Sequence, residues 1–319
     1  MLKVLNKIIK LIIPTNQRRY LRQVFYWLYP FCFDIKFDKD LDSLKNMINL
    51  YYYFFPSKKR EFINEINFLN NKAKTDHSSS FIFPYSFVFD YDYNNIKVYY
   101  DNVKGLFYVI HKGKRLYYSR DYQSELAVKH SYYGISIEQD EKSPHRYLSD
   151  NFNVEENDVV IDIGAAEGNF SLDVVERTSN LYIFEPEKSW IEALNATFEP
   201  WKEKVHIINK FVSNIDNEKF ATLDSLLGDN PVNFIKIDVE GAELLILEGS
   251  KGILDNNNSL KLSICTYHRK NDAKTIGKIL YDKKFNYSFS CGYMLFIYYR
   301  LTPPYFRRGL IKGQKISCE

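Results

Sequence analysis

Two acidic residues and a glycine-bearing turn stand at spacings that could hold a small molecule. Asp162-Ile163-Gly164-Ala165-Ala166-Glu167-Gly168-Asn169 overlaps and follows an apolar run, and small residues in such a turn let a ligand approach the backbone closely. A dinucleotide fingerprint G-x-G-x-x-G would need glycine at 164, 166 and 169. The chain has Gly164, Ala166 and Asn169 there, a poor match to a pyrophosphate cradle. Glu185, in Phe184-Glu185-Pro186, lies 17 residues beyond Gly168 at the end of the next apolar run. A carboxylate at that place can accept both hydroxyls of a ribose. Two more apolar runs end in Asp238-Val239-Glu240 and in Cys265-Thr266-Tyr267-His268-Arg269. His268 could take a proton from an attacking hydroxyl, because imidazole titrates near neutrality. His77, His111, His130 and His206 lack such a setting.

These residues need elements to position them. From residue 159 onward, apolar strands at 159–163, 181–184, 205–208, 233–237 and 260–265 alternate with helical stretches near 168–177, 187–198, 241–249 and 272–282. That alternation predicts a parallel sheet with helices on both faces. The segments 286–290 and 293–299, on either side of Gly292, read as a hairpin closing the sheet. In open sheets of this kind ligands bind beyond the carboxyl ends of the strands, where all the residues named above fall.

Asp162 followed by G-x-x-x-G resembles motif I of the S-adenosylmethionine-dependent class I methyltransferases. Thr222-Leu223-Asp224-Ser225-Leu226, followed by Phe234-Ile235-Lys236-Ile237-Asp238-Val239-Glu240-Gly241-Ala242-Glu243, resembles the signature of the FkbM family of those enzymes. With Asp162-Ile163-Gly164-Ala165 and Phe184-Glu185-Pro186, the likeness covers about residues 140–300. It implies a Rossmann-like, doubly wound α/β sheet of seven strands whose last strand runs antiparallel. It also implies S-adenosyl-L-methionine as cofactor and O-methylation, frequently of sugars in natural products and surface glycans. By the same resemblance Asp162, Gly164, Ala165 and Gly168, with Asn169 beside them, line the methionine and ribose part of the cofactor. Glu185, followed by Pro186, binds the ribose, and Val212-Ser213 flank the adenine.

Asp238 and Glu240 end the fourth strand and face the same crevice, with His268 beside Asp238 across the strand ends. A hydroxyl must lose its proton as it attacks a methyl group, so His268 is read as the base with Asp238 as its catalytic partner. A second reading makes His268 a metal ligand with Asp238. Hard cations favour oxygen, and Asp238, Glu240 and Asp272 are the oxygen candidates, but Tyr267-His268 at the fifth strand weakens the case for a divalent metal. Glu240 and Tyr267 are candidates for contact with the acceptor, as are His145 and Tyr147 in Ser143-Pro144-His145-Arg146-Tyr147. That segment could equally be a plain linker turn.

Composition sets the outer bounds. Positions 1–150 hold 32 of the 53 aromatic residues but only 3 of the 13 glycines, so the 319-residue chain is built from unlike parts. The expected division is a basic, aromatic helical region over 1–75, a small antiparallel β region over 76–140, a cofactor domain over 141–302 and a basic tail over 303–319. The β region, split by turns at Asn94-Asn95 and Lys112-Gly113-Lys114, alternates aromatic with polar residues. Core and cross-strand pairing account for that pattern more readily than a sugar-stacking surface. Residues 1–33 carry +6 and 300–319 carry +4, which against a net +3 leaves the middle at −7. An acidic middle, and the lack of an N/D-P-P-Y/F motif at Asp238, argue against a nucleic-acid substrate. Residues 1–22 form a basic amphipathic pattern that either docks on the protein or touches an anionic membrane. Four scattered cysteines and no run long enough to span a bilayer point to the cytoplasm, either free or at the inner face of the membrane. The expected acceptor is a sugar hydroxyl of a glycan or glycoconjugate. A lipid or polyketide-like molecule, or a non-catalytic binding module that keeps the fold, are the alternatives.

Overall fold

The computed structural model describes residues 41–71, 82–228, 230–297 and 301–316. The basic pattern at 1–22 lies outside the described residues. The chain divides into two compact units, one of residues 1–86 with 293–307, the other of residues 87–292 with 308–319. Among the described residues no helix is long and apolar enough to cross a membrane.

Among its described residues the smaller unit is built of helices and one short antiparallel strand pair, Met294–Leu295 with Phe306–Arg307. Leu44, Met47, Ile48 and Tyr51 recur at three- and four-residue steps in the helix Leu41–Phe54, so one stripe is apolar. It is buried with Phe62, Ile66 and Leu69 and with Tyr293, Leu295 and Tyr305 from the returning segment. Phe62 packs edge-on to Tyr293 at 4.7 Å and stacks on Phe306 at 5.3 Å. The aromatic surplus of the first half therefore partly fills a core.

In the larger unit, β1 (Val98–Asp101), β2 (Leu106–His111) and β3 (Lys114–Tyr117) form an antiparallel meander. Tyr99, Tyr108 and Tyr117 stand opposite one another in register, with ring centroids 5.3 and 5.2 Å apart. The turn at Lys112-Gly113 has positive φ at both residues (48° and 84°), as a two-residue hairpin demands. The expected turn at Asn94-Asn95 is not a hairpin. It is a single 3₁₀ turn held by the Asp92 side chain, which accepts from the Asn94 N–H at 2.8 Å, and the first hairpin bends instead at Asp101–Gly105. Helix α1 (Glu125–Glu138) follows, capped by the Ser124 side chain.

The main sheet has seven strands: β4 (Asp158–Ile163), β5 (Thr178–Phe184), β6 (Val205–Ile208), β7 (Phe234–Ile237), β8 (Lys261–Cys265), β9 (Phe285–Phe289) and β10 (Leu310–Lys315). Their order is β9-β10-β8-β7-β4-β5-β6, all parallel except β10, which is antiparallel to both β8 and β9. This is the doubly wound sheet with an antiparallel last strand that the resemblance implied. Helices α2 (Asn169–Val174), α3 (Lys188–Phe198), α4 (Glu243–Glu248) and α5 (Asp272–Asp282) make the crossovers. β7 is buried at every position, which is why its sequence runs apolar with one lysine rather than alternating.

A second expectation is overturned. β9 does not pair with 293–299 but with β10, in the segment read as a basic tail, with Phe289 opposite Ile311. Leu310 and Ile311 are fully buried, and the Lys315 ammonium, taken for a tail charge, donates to the carbonyls of Leu254 and Lys283 at 2.5 and 2.9 Å.

Candidate active site

The turn after β4 is shaped by close approach of two strand ends. Gly164 has φ +76°, and a Cβ there would lie 1.9 Å from the Asp238 carbonyl oxygen. Glycine is thus required for the β4 turn to abut the end of β7. Gly168, at φ +85°, would put a Cβ 2.8 Å from Leu194 on α3, so it permits helix packing. Ala165 is buried, and Asn169 closes on its own chain, its Oδ1 accepting from Phe170 N–H at 2.7 Å.

Glu185 crosses this turn. Its carboxylate accepts from Ala166 N–H at 2.7 Å and from Glu187 N–H at 2.8 Å. Burial outweighs these bonds and raises its pKa. Asn209 fixes the backbone beneath, donating to the carbonyls of Glu185 and Pro186 at 2.9 and 2.8 Å. Asp162 differs from the expectation that it lines a ligand. It is fully buried, accepts from Ser171 Oγ at 2.7 Å and pairs with Lys236 Nζ at 3.0 Å. Lys236 also donates to the Gly164 carbonyl at 2.6 Å, which ties β7 to the β4 turn from inside. Val212 lies in a short strand pair after β6 and Ser213 just beyond it, both buried, and among the described residues no bond joins them to the cluster at Asp238.

That cluster gathers five of the predicted residues. Tyr147 Oη donates to Asp238 Oδ2 at 2.7 Å, and Tyr267 Oη to Oδ1 at 3.3 Å. His145 Nε2 and His268 Nε2 each stand 3.5 Å from the same carboxylate, and His145 Nε2 is 3.0 Å from Tyr267 Oη. The segment 143–147 is therefore a strap over the strand ends, not a plain linker turn. The Asp238 side chain is 17% exposed against 2% for His268, so Asp238 is the more open of the two. Glu240 is exposed at φ +54° and near enough to His268 to act on its charge.

Burial works against a charge on Asp238, but His145, Lys236, His268 and the Tyr147 hydroxyl outweigh it and hold the carboxyl below the usual range. Burial pushes His145 down to about 4, so its imidazole is neutral at neutral pH. Burial would lower His268 too, yet its bond to Glu243 and the charges of Asp238 and Glu243 raise it.

Glu243 has no assigned role in the sequence reading, although it sits in the quoted signature. Its Oε1 lies 2.7 Å from His268 Nδ1, with the side chains 1% and 2% exposed, and this fixes Nε2 toward Asp238. Lys236 shares that string and was equally passed over. Glu138 at the end of α1 and Glu167 in the β4 turn are further omissions. Burial pushes them up to about 8 and about 7, with Asp238 adding to the first and Asp162 to the second. No local motif marks Glu138, since a helix end becomes part of a site only when the chain folds over it. Two triads, Asp238/Glu243/His268 and His145/Asp238/Cys265, hold potential ligand atoms within 4.8 Å of one another. The oxygen set expected from the sequence does not converge, because Glu240 is exposed and Asp272 accepts from Arg269 N–H at 2.8 Å.

No curated protein matches the chain. Among solved structures it is similar to the methyltransferase FkbM from Methylobacillus flagellatus KT, with 16% identity over 59% of this chain and 54% of that one and a TM-score of 0.42. It is also similar to an rRNA methylase from Streptococcus thermophilus (19% identity, 51% and 90% covered, TM-score 0.37). A third is magnesium protoporphyrin IX methyltransferase from Synechocystis PCC 6803 with bound S-adenosylmethionine (12%, 50% and 71%, TM-score 0.34). The chain spans about half the length of the first of these. Residues 111–289, more than half of the chain, match the model of the methyltransferase FkbM domain, and the chain belongs to that family.

Proposed function

We propose that this chain is an S-adenosylmethionine-dependent O-methyltransferase acting on a sugar hydroxyl of a glycan or glycoconjugate. The observation that carries the reading is the cluster of Asp238, His268, Tyr147 and Tyr267 at the strand ends beside the 164–168 turn. Hydroxyls and a carboxylate suit a polyol acceptor, whereas a lipid or polyketide-like acceptor would call for an apolar wall.

The cofactor fits the residues present. Glu138, half-buried, and Glu167, buried, are acids whose charge is held off by desolvation, and a ligand bearing a sulfonium and an ammonium would neutralise such a lining. Glu185, pinned across the turn, would hold the ribose. The bound cofactor would supply an electrophilic methyl group. Asp238 would accept a hydrogen bond from the acceptor hydroxyl and orient it. His268 Nε2 would take the hydroxyl proton, with Glu243 holding the Nδ1–H tautomer and stabilising the imidazolium that results. The strap residues Tyr147 and His145 would keep Asp238 in place and water away.

Calorimetry of the full chain with S-adenosylmethionine tests the cofactor, with binding expected and at least a tenfold loss in Glu185→Ala. Absence of binding, or an unchanged affinity in the variant, would end this reading. Labelled methyl transfer to glycan fractions, with and without chelator, then tests the acceptor. Transfer to lipid extracts alone would refute the sugar.

A further inference from the structure

A second cleft, about 410 Å³ in volume, opens on the far side of the strap, between residues 141–150 and the strands β9 and β10. The strap alternates: His145 and Tyr147 reach Asp238, while Arg146 and Leu148 between them line this cleft. Its floor is one face of the sheet. Ser263, Lys312 and Ser288 stand side by side in register across β8, β10 and β9, and residues so paired project to the same face. The strap covers that row at one end, where Ser263 Oγ donates to the Tyr147 carbonyl at 3.2 Å. The other end is open at Ser288, which leaves Lys312 half-buried between them.

Lys312 has no carboxylate partner and no hydrogen bond among the described residues. Its ammonium lies 5.7 Å from the centre of the Phe152 ring. Burial and the neighbouring Arg146 guanidinium both act against its charge and push it down to about 8. Arg146 donates Nε–H to the Leu148 carbonyl at 2.8 Å and meets Glu141 only at 3.6 Å, with Glu141 85% exposed. Such an exposed pair contributes little. Lys142, also on the rim, faces Asp90 at 3.5 Å on the surface, and the remaining acid of the lining, Asp150, is exposed. Two cations thus converge on a half-enclosed cleft furnished with the hydroxyl-bearing residues Ser149 and Ser288, while the acids stand at its exposed rim. Placing a lysine beside an arginine without a counter-charge is unfavourable unless an anion completes the site.

We propose that this cleft is an oxyanion site that takes a phosphate group, with Lys312 as the half-buried cation, Arg146 as the forked donor and the serine hydroxyls as further donors. The phosphate could be inorganic or the ester of a phosphorylated sugar. The site stands independently of the methyl-transfer reading, and because it shares the strap with Asp238, a phosphate bound there would steady Tyr147.

The test is calorimetric titration of the full chain at neutral pH with inorganic phosphate and with glucose 1-phosphate, against chloride at matched ionic strength. Saturable phosphate binding is expected, weakened at least tenfold in Lys312→Met and retained in Lys312→Arg. Melting in the absence of ligand checks the fold. Lys312→Met should melt no lower than the parent, and if it does, Arg146→Gln carries the same comparison. At least tenfold tighter binding of glucose 1-phosphate identifies the ester as ligand, and equal binding identifies phosphate itself. No binding of either beyond the chloride control, or binding unchanged in both Lys312→Met and Arg146→Gln, overturns the proposal.

Discussion

The pairing of Glu243 with His268 makes a prediction about pH. In Glu243→Gln the amide oxygen can still accept from Nδ1–H, so the tautomer and the 2.7 Å contact are kept while the negative charge is lost. A hydrogen bond to a charged group contributes about 1.5–3 kcal/mol to holding the imidazolium, so the pKa of His268 should fall when that charge is removed. The sign follows from the role of a base, which works only when neutral. Because the native environment raises His268 above the ordinary imidazole value, the rising limb of kcat/KM against pH should lie above that value in the parent and move to lower pH in the variant. The plateau should drop as well, since a weaker base accepts the proton less readily. The assay is labelled methyl transfer across pH 5 to 9, paired with an NMR titration of the histidine ring protons. His145, held near 4 in both proteins, should not move with the variant. A limb that stays in place, or shifts upward, would refute the assignment of His268 as base.

Three further outcomes are expected. Lys236→Met leaves Asp162 as an uncompensated buried charge, so unfolding free energy from denaturant melts should drop by about 3–5 kcal/mol; a loss under 1 kcal/mol would mean that the pair does not organise the strand ends. Gly164→Ala should lower the melting temperature more than Gly168→Ala, because the first collides with a backbone carbonyl at 1.9 Å and the second with the tip of a leucine at 2.8 Å, and the reverse ranking would contradict the packing described. Tyr147→Phe removes the 2.7 Å bond to Asp238 and should cut turnover about tenfold with cofactor affinity kept, whereas equal losses in both would assign Tyr147 to the cofactor side.

The parts of the molecule readable from sequence are those whose cause is local. The strands β4, β5, β7 and β8 announced themselves as apolar runs because they are largely buried, the edge strand β6 did so although His206 is exposed, and the turn residues did because their spacing is set by one strand and one helix. β10 escaped because Lys312, Gly313, Gln314 and Lys315 dilute its apolar signal, and its partners lie on either side of it in space but both before it in sequence. Asp162 was legible as a motif residue, but not as the counter-ion of Lys236, since that pairing crosses from β4 to β7. The same holds for Glu138, brought to Asp238 by the fold alone.

The placement of β10 has a bearing on how the chain is made. When β9 emerges from the ribosome its partner β10 is still inside the exit tunnel, and the edge of β8 is likewise bare. The intervening residues 293–307 go to the helical unit before the chain returns to fill the gap. Until residues 310–315 arrive, two open edges of a largely apolar sheet face each other across one missing strand, the state in which a nascent chain is most apt to pair with a neighbour. Emergence of β10 is therefore the step that seals the sheet, and the interval before it is when a chaperone would have most to protect.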